Sequence, residues 1–296
     1  MKTEVVNKYV PYSQEDEDWG LYILDVGKMR TPEHSDYPVG SHPPDYIFNF
    51  QKGRVLHEYQ VLYISEGKGV FESRLSGKMD VDTGSIILLY PDVWHRYRPL
   101  KKTGWRESWI GFNGRFAGEL LHSGDFNPKM PVHHIGIHSR INTLYDQLFI
   151  ECNQEYPGYQ QVAAGMVMEL LGLIRMYKKT TTLNNQLIQN QIYQSKRIMD
   201  ERFKGQVDPK EVAHEVGMGY SNFRKNFRLL TGFSPGQYII HLRLRESKEL
   251  LYNTNLTVKE IALQTGFSSS FYFVRLFREK VGITPGTFRI KARGLD

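Results

Sequence analysis

Residues 207–239 and 256–289 are two imperfect copies of one pattern, and this repeat constrains the chain more than any other feature. Ala213 falls on Ala262 and Gly217 on Gly266, an offset of 49. Phe223 then falls on Phe273, Phe227 on Phe277, Thr231-Gly232 on Val281-Gly282 and Ser234-Pro235 on Thr284-Pro285, an offset of 50. The second copy therefore has a turn one residue longer. Each copy supplies a small residue where a first helix must let a second approach. Each then has a glycine suited to a left-handed C-cap and a pair of phenylalanines four apart, which mark one buried helix face. The pattern predicts a helix–turn–helix over about 208–230 and another over about 257–280. Such a tandem reader suits double-stranded DNA, which offers a similar groove again after each helical turn.

Local chemistry agrees with helices in those places. Asp208-Pro209-Lys210-Glu211 puts a carboxylate at the N-cap, proline at the first helical position and glutamate at the third. Thr257-Val258-Lys259-Glu260 gives the second copy a capping box. Gly219 and Ser269 fall at the N-caps of the second helices, and Ser234-Pro235 and Thr284-Pro285 start a further helix in each copy. The second helix of each unit is the candidate reader. Opposite its phenylalanine face stand Ser221, Lys225 and Arg228 in the first copy, with Asn222 beside them. The second copy has Ser270, Phe271, Tyr272, Arg275 and Arg278 there. Lys and Arg donate to guanine edges or phosphates, Asn reads adenine, and an aromatic ring packs on a thymine methyl. Lys225 and Arg275 are the expected central groove contacts. Arg228 and Arg278, farther from the helix start, are expected on phosphate.

Charge follows the repeat. From residue 188 onward there are 18 Lys+Arg against 10 Asp+Glu, a net +8, whereas the rest of the chain carries 20 against 22. A basic C-terminal part is the electrostatic footprint of a nucleic-acid reader. The length of 296 residues allows two domains with separate cores. The reading is of an α+β chain: a β-rich domain with a helical hairpin over 1–180, a linker over 181–190, and an all-α double helix–turn–helix over 191–296. Cys152 is the single cysteine, so no intrachain disulfide forms, which fits a cytoplasmic protein. Met1 to Gly20 is polar and acidic, unlike a signal peptide, and no apolar run approaches a membrane span.

The long, correctly gapped set Ile261-Ala262, Gly266-Phe267, Phe273, Arg275, Phe277, Arg278, Gly282, Thr284-Pro285 and Phe288-Arg289 resembles the second reading unit of the AraC/XylS-type bacterial transcription regulators. The likeness covers roughly 188–293. The first unit departs at Gly219, where that family usually has serine, a better cap. The resemblance implies a sequence-specific DNA-binding regulator with a cupin-type sensor barrel at its N-terminus, a small-molecule effector and a homodimer, with RNA polymerase as a further partner.

The N-terminal part fits this less tightly. Tyr46–Phe50, Tyr59–Ser65, Val70–Ser73, Ser85–Leu89 and Glu107–Phe112 are short runs rich in β-branched and aromatic residues, separated by Gly, Pro and Asp clusters. They predict a sandwich or barrel, with a tight hairpin where Gly67 and Gly69 flank Lys68. Two helices are expected at 139–153 and 160–177, broken by Tyr156-Pro157-Gly158, and together they could form a dimer interface. Gly84 to His95 resembles the second cupin motif. Metal-binding cupins need two His and a Glu from the first motif, and His57-Glu58-Tyr59 is a poor substitute, so neither a metal nor another cofactor is expected. The paired His133 and His134 are expected on a loop. Trp94, His95, Tyr97, Trp105 and Trp109, with His42 and Arg54 upstream, are the candidate effector residues. Aromatic faces stack on sugar rings and His or Arg bind hydroxyls, so the resemblance and the composition together imply a carbohydrate-like effector.

Two competing functions carry less. A cupin-type sugar-modifying metalloenzyme with a DNA-binding appendage needs a ligand set that the sequence does not assemble. The chain also has no Gly-rich phosphate loop, no G-x-S-x-G elbow and no cysteine nucleophile with a visible partner. A ligand-free architectural DNA binder is the third reading, and a metabolite screen that produces no thermal shift would favour it.

Overall fold

A computed structural model describes residues 4–37, 49–122, 126–182 and 186–294. The chain divides into two compact units, Met1–Thr182 and Leu183–Asp296.

The first unit contains β1 (Glu4–Tyr9), α1 (Gln14–Trp19), β2 (Tyr22–Thr31), β3 (Tyr59–Gly67), β4 (Gly69–Ser73), β5 (Gly77–Val81), β6 (Ser85–Leu89), β7 (His95–Pro99), β8 (Trp105–Asn113), α2 (Arg115–Leu121), β9 (Val132–His134), α3 (Ser139–Gln154) and α4 (Tyr159–Thr182). Six strands form one sheet in the order β1-β2-β8-β3-β6-β9, and three form another in the order β5-β4-β7. The expected barrel is thus two antiparallel sheets that share a core rather than one closed sheet. Strand alternation explains both faces of the larger sheet. Leu62, Ile64, Ile87 and Leu89 point inward to meet Phe71, Val81 and Tyr97 of the smaller sheet. Their neighbours Val61, Tyr63, Ile86 and Leu88 point outward, under Ile141, Leu144, Leu148, Val167, Leu170 and Ile174 of the helical hairpin. A sheet buried on both faces shows as an unbroken apolar run, as residues 86–89 do.

The hairpin expected at Gly67-Lys68-Gly69 does not form. β3 pairs with β6 and β8, and β4 pairs with β5 and β7, so the chain crosses between sheets there. Gly67 adopts φ +87°, and a Cβ on it would lie 2.1 Å from the Gly104 carbonyl oxygen. Glycine serves a corner here, not a two-residue turn. Asn49 and Phe50 belong to no strand, and the rest of the run expected at Tyr46–Phe50 lies outside the described residues. His133 and His134 sit in β9, paired with β6, not on a loop.

The second unit contains α5 (Gln186–Arg202), α6 (Pro209–Glu215), α7 (Tyr220–Thr231), α8 (Pro235–Asn253), α9 (Val258–Gln264), α10 (Ser270–Val281) and α11 (Pro285–Ala292). Most of the stretch read as a linker, 181–190, is helical: α4 ends at Thr182 and α5 begins at Gln186. The two repeat copies have separate cores. Phe223 and Phe227 pack with Val212, Ala213 and Met199 in the first. Phe273 and Phe277 pack with Ile261, Ala262 and Phe267 in the second. α8 serves both, giving Ile239 and Leu242 to one and Leu244 and Leu251 to the other. Truncating any of the four buried phenylalanines to Ala costs about 3–5 kcal/mol, from lost burial plus the cavity left behind.

Candidate nucleic-acid interface and buried polar site

α7 and α10 are positioned by the caps that the sequence encodes. Asp208 accepts from the Lys210 amide, and Thr257 and Glu260 form a reciprocal capping box. Gly217 and Gly266 turn the chain with φ +70° and +82°. Ser269 caps α10 by accepting from the Tyr272 amide, whereas Gly219 gives α7 no side-chain cap. With both phenylalanine pairs buried, the opposite faces are open to solvent. Ser221, Asn222, Lys225 and Arg228 are exposed on α7, and Phe271, Arg275 and Arg278 on α10, with Ser270 and Tyr272 half-buried. The structure therefore brings each predicted set together on one helix face. Arg224, not selected from the sequence, is exposed in the same arc of α7. The 3.6-residue period puts it there, between Ser221 and Arg228, and that signal was available.

Two contacts refine these roles. The Arg275 guanidinium lies 5.7 Å from the centroid of the Tyr272 ring, a cation–π contact that orients it. The buried Asn226 amide donates to the Asn222 side-chain oxygen at 2.7 Å. That bond orients the Asn222 amide and occupies one of the two lone pairs of its oxygen, leaving the other and the amide N–H groups for a base edge. A cleft of about 710 Å³ lies between the ends of α7 and α10 and is lined by Arg228, His241, Arg245, Lys248 and Lys280. None of the residues lining it is acidic, so it adds to the positive field of this unit.

The first unit holds a second feature, a polar cluster on the inner faces of the two sheets. Asp25, Glu107 and His95 are 2%, 2% and 1% exposed. Glu58 and Gln60 are buried with them, and Tyr37, Arg54, Tyr97 and Trp109 line the same space. The Trp109 indole N–H donates to Asp25 Oδ1 at 2.6 Å, and Gln60 Nε2 reaches Asp25 Oδ2 at 3.2 Å and Glu58 Oε1 at 2.6 Å. Gly27 makes the indole's position possible, because a Cβ there would lie 2.2 Å from Trp109 Cζ2. Arg54 donates to the Tyr97 hydroxyl at 2.9 Å and approaches His95 Nε2 at 3.4 Å. His95 Nδ1 faces the Val93 carbonyl at 2.9 Å, which fixes the tautomer with the proton on Nδ1. The Tyr37 hydroxyl donates to Glu107 at 3.1 Å.

Burial sets the protonation of this cluster. It pushes Glu107 up to about 8. Burial, and then the neighbouring Glu58, raises Asp25 well above the usual carboxylate range. Burial, and then the positive charge of Arg54, lowers His95 to about 4, so it is neutral at pH 7. The result is a mixed set of hydrogen-bond donors and acceptors beside flat aromatic faces.

Of the sequence-selected effector residues, the structure gathers Arg54, His95, Tyr97, Trp105 and Trp109. It excludes Trp94 from the cluster. β7 alternates, so His95 and Tyr97 face inward, while Trp94, Arg96 and Arg98 lie on the other side. Trp94 bonds the Lys52 carbonyl at 2.9 Å and stacks near Arg96. His42 lies outside the described residues. The sequence reading missed Asp25, Glu58, Gln60 and Glu107 as members of this site. Asp25 follows the apolar run of residues 22–24 at the start of β2, which was a weak local signal for part of this set. Among the described residues no three His, Cys, Asp or Glu side chains converge to hold a metal, and no helix is long and apolar enough to cross a membrane.

Comparison with known proteins follows the same division. The sequence model of the helix-turn-helix domain matches residues 212–291, and that of the AraC-like ligand binding domain matches residues 42–171. The Msm operon regulatory protein of Streptococcus mutans serotype c is 26% identical over 246 residues, 79% of this chain and 85% of that protein. The raffinose operon transcriptional regulatory protein RafR of Pediococcus pentosaceus is 23% identical over 248 residues, 82% of this chain and 88% of that protein. The crystal structure of the DNA-binding domain of AdpA, a global transcriptional factor, in complex with a target DNA is 28% identical. That likeness covers 35% of this chain and 93% of the AdpA chain, with a TM-score of 0.34.

Proposed function

The chain belongs to the AraC family of transcriptional regulators, and from that membership and its geometry we propose that it is a cytoplasmic, carbohydrate-responsive regulator that reads double-stranded DNA with α7 and α10. One observation carries the DNA assignment: two equivalent helices present exposed cationic faces opposite separately buried phenylalanine pairs. Ser221, Asn222, Arg224, Lys225 and Arg228 contact one groove segment. Ser270, Phe271, Tyr272, Arg275 and Arg278 contact another.

The effector site is the buried polar cluster. Asp25, Glu58 and Glu107 accept hydrogen bonds from hydroxyl groups, Arg54 and Tyr97 donate, and Trp105 and Trp109 offer rings to a sugar face. The name of one related regulator, RafR, refers to a raffinose operon and supports a saccharide or related metabolite. Catalysis is not part of this reading, which follows the regulatory names of the related proteins. The hairpin of α3 and α4 serves dimerisation. Val162, Gly165, Met168, Gly172 and Met176 recur at helical spacing on the exposed side of α4. Promoter-bound dimers would then have RNA polymerase as their further partner.

The test is a thermal-shift screen of mono- and oligosaccharides on the purified protein. A ligand at 100 times its dissociation constant raises stability by about 2.7 kcal/mol. Trp109→Ala and Arg54→Ala should abolish that shift, and Trp94→Ala should retain it. An effector whose binding survives both inner-face substitutions would place the site elsewhere.

A further inference from the structure

We propose that the second reading unit recognises thymine, through contact of the Phe271 ring with the C5 methyl group, close to the base read by Arg275. The inference rests on α10 being a DNA-reading helix and concerns which base it selects.

Phe271 is 81% exposed, an unusual position for a phenylalanine on a helix whose other face is fully packed. The repeat provides an internal control. Ser221 occupies the equivalent position in the first copy, and Arg224 stands where the second has Val274. The motif therefore accommodates serine and arginine at these positions, and at 81% exposure the Phe271 ring adds little to its packing. Phe271 and Val274 instead create an apolar strip within a cationic face. Together with Arg275, Arg278, Glu279, Gly282 and Thr284 they line an open recess of about 600 Å³, in which the Glu279 carboxylate is paired with Lys280.

The major groove presents hydrogen-bonding edges and one apolar group, the thymine methyl. An exposed ring flanked by Arg275 and Arg278 matches that group and has no counterpart on phosphate or on the other base edges. Phe271 and Arg275 are one helical turn apart, about 6 Å along the axis. That is close to the rise of two base pairs, about 3.4 Å each. Tyr272 holds the Arg275 guanidinium beside its own ring, so the two contacts are set on one rigid turn. The copies thus use different chemistry. The α7 face, with Ser221, Arg224, Lys225 and Arg228, reads by hydrogen bonds and charge. The α10 face adds a methyl contact.

The experiment uses the full chain. Preferred duplexes are first selected from a random pool, and each thymine in the selected site is then replaced by deoxyuridine, which lacks only the methyl. For the wild-type chain, one or two such replacements in the segment bound by α10 lower affinity about fourfold, the equivalent of one buried methyl-sized group. Phe271→Ala weakens binding to the thymine duplex by a similar factor and no longer distinguishes uracil from thymine. Phe271→Ser, which installs the first copy's residue, behaves alike and guards against a folding defect. Insensitivity to every deoxyuridine, or a sensitivity that persists in both variants, overturns the inference while leaving DNA reading intact. Variants with unchanged affinity for both duplexes overturn it too, and assign the ring to a protein partner. A random pool that yields no preferred sequence defeats the reading of α7 and α10 on which the inference rests.

Discussion

At the residue scale, the two sites differ in what a substitution disturbs. Lys225 and Arg275 are exposed, so removing them leaves the fold unchanged and acts on DNA alone. Each change to Ala should weaken binding to a selected site by about 1–3 kcal/mol and relax preference at one position. Competition titrations against random duplex measure this; unchanged discrimination in both variants contradicts the assignment. Glu107 is the reverse case, since its carboxyl is buried and acts on stability. Its folded value near 8 lies above its ordinary one, so the folded chain holds a proton that the unfolded chain releases. The stability this contributes is complete below about pH 4 and is lost as pH rises toward 8. Glu107→Gln should therefore raise the melting temperature relative to wild type, and the gain should grow between pH 5 and pH 8. A gain that shrinks over that range contradicts the burial argument. His95 acts in the opposite sense, because its lowered value removes stability as pH falls from about 6.5 toward 4. The pH profile of Glu107→Gln must accordingly be read as a difference from wild type.

At the scale of elements, the helix–turn–helix units depend on their corners. A Cβ at Gly266 would strike the Lys204 carbonyl oxygen at 2.6 Å, whereas at Gly217 the nearest atom is Gln191 Nε2 at 3.6 Å. Both residues have positive φ, which costs an L-residue about 1–2 kcal/mol. Gly217→Ala should lose about that much, and Gly266→Ala should lose more because backbone must move. Equal losses by urea denaturation would show that the second corner relaxes freely. On α4, replacing both Val162 and Met168 with Glu should convert a dimer to a monomer in sedimentation experiments, and a dimer that persists would remove the hairpin from the interface. The second unit was readable from sequence because caps, glycine corners and phenylalanine pairs are local signals that occur twice. The sheets were less so. β2 carries Asp25, Gly27 and Lys28, and β7 alternates His95 and Tyr97 with two arginines, so neither has the composition of an ordinary strand. Gly67 and Gly69 suggested a hairpin because local propensity does not reveal which strands will pair. The same limit hid Glu58, Gln60 and Glu107, whose meeting depends on register between strands far apart in sequence.

At the scale of the whole molecule, a basic DNA-reading unit follows a sensing unit whose net charge is slightly negative. Binding should fall steeply with salt, because each phosphate neutralised lowers the slope of log affinity against log salt by about 0.9. Lys248→Ala and Lys280→Ala, which alter the basic cleft, should make that slope shallower without changing which sequence is preferred. In the proposed mode of binding, one chain reads two successive major-groove segments on one face of the duplex. Inserting five base pairs between those segments in a selected site turns the second by about half a helical turn. Affinity of the full chain for the inserted duplex, compared with the original, is the most direct measurement. Affinity should fall by at least tenfold, to the level that a single unit supports, and footprints should shrink to one segment. Full affinity with both segments still protected would contradict tandem reading by α7 and α10.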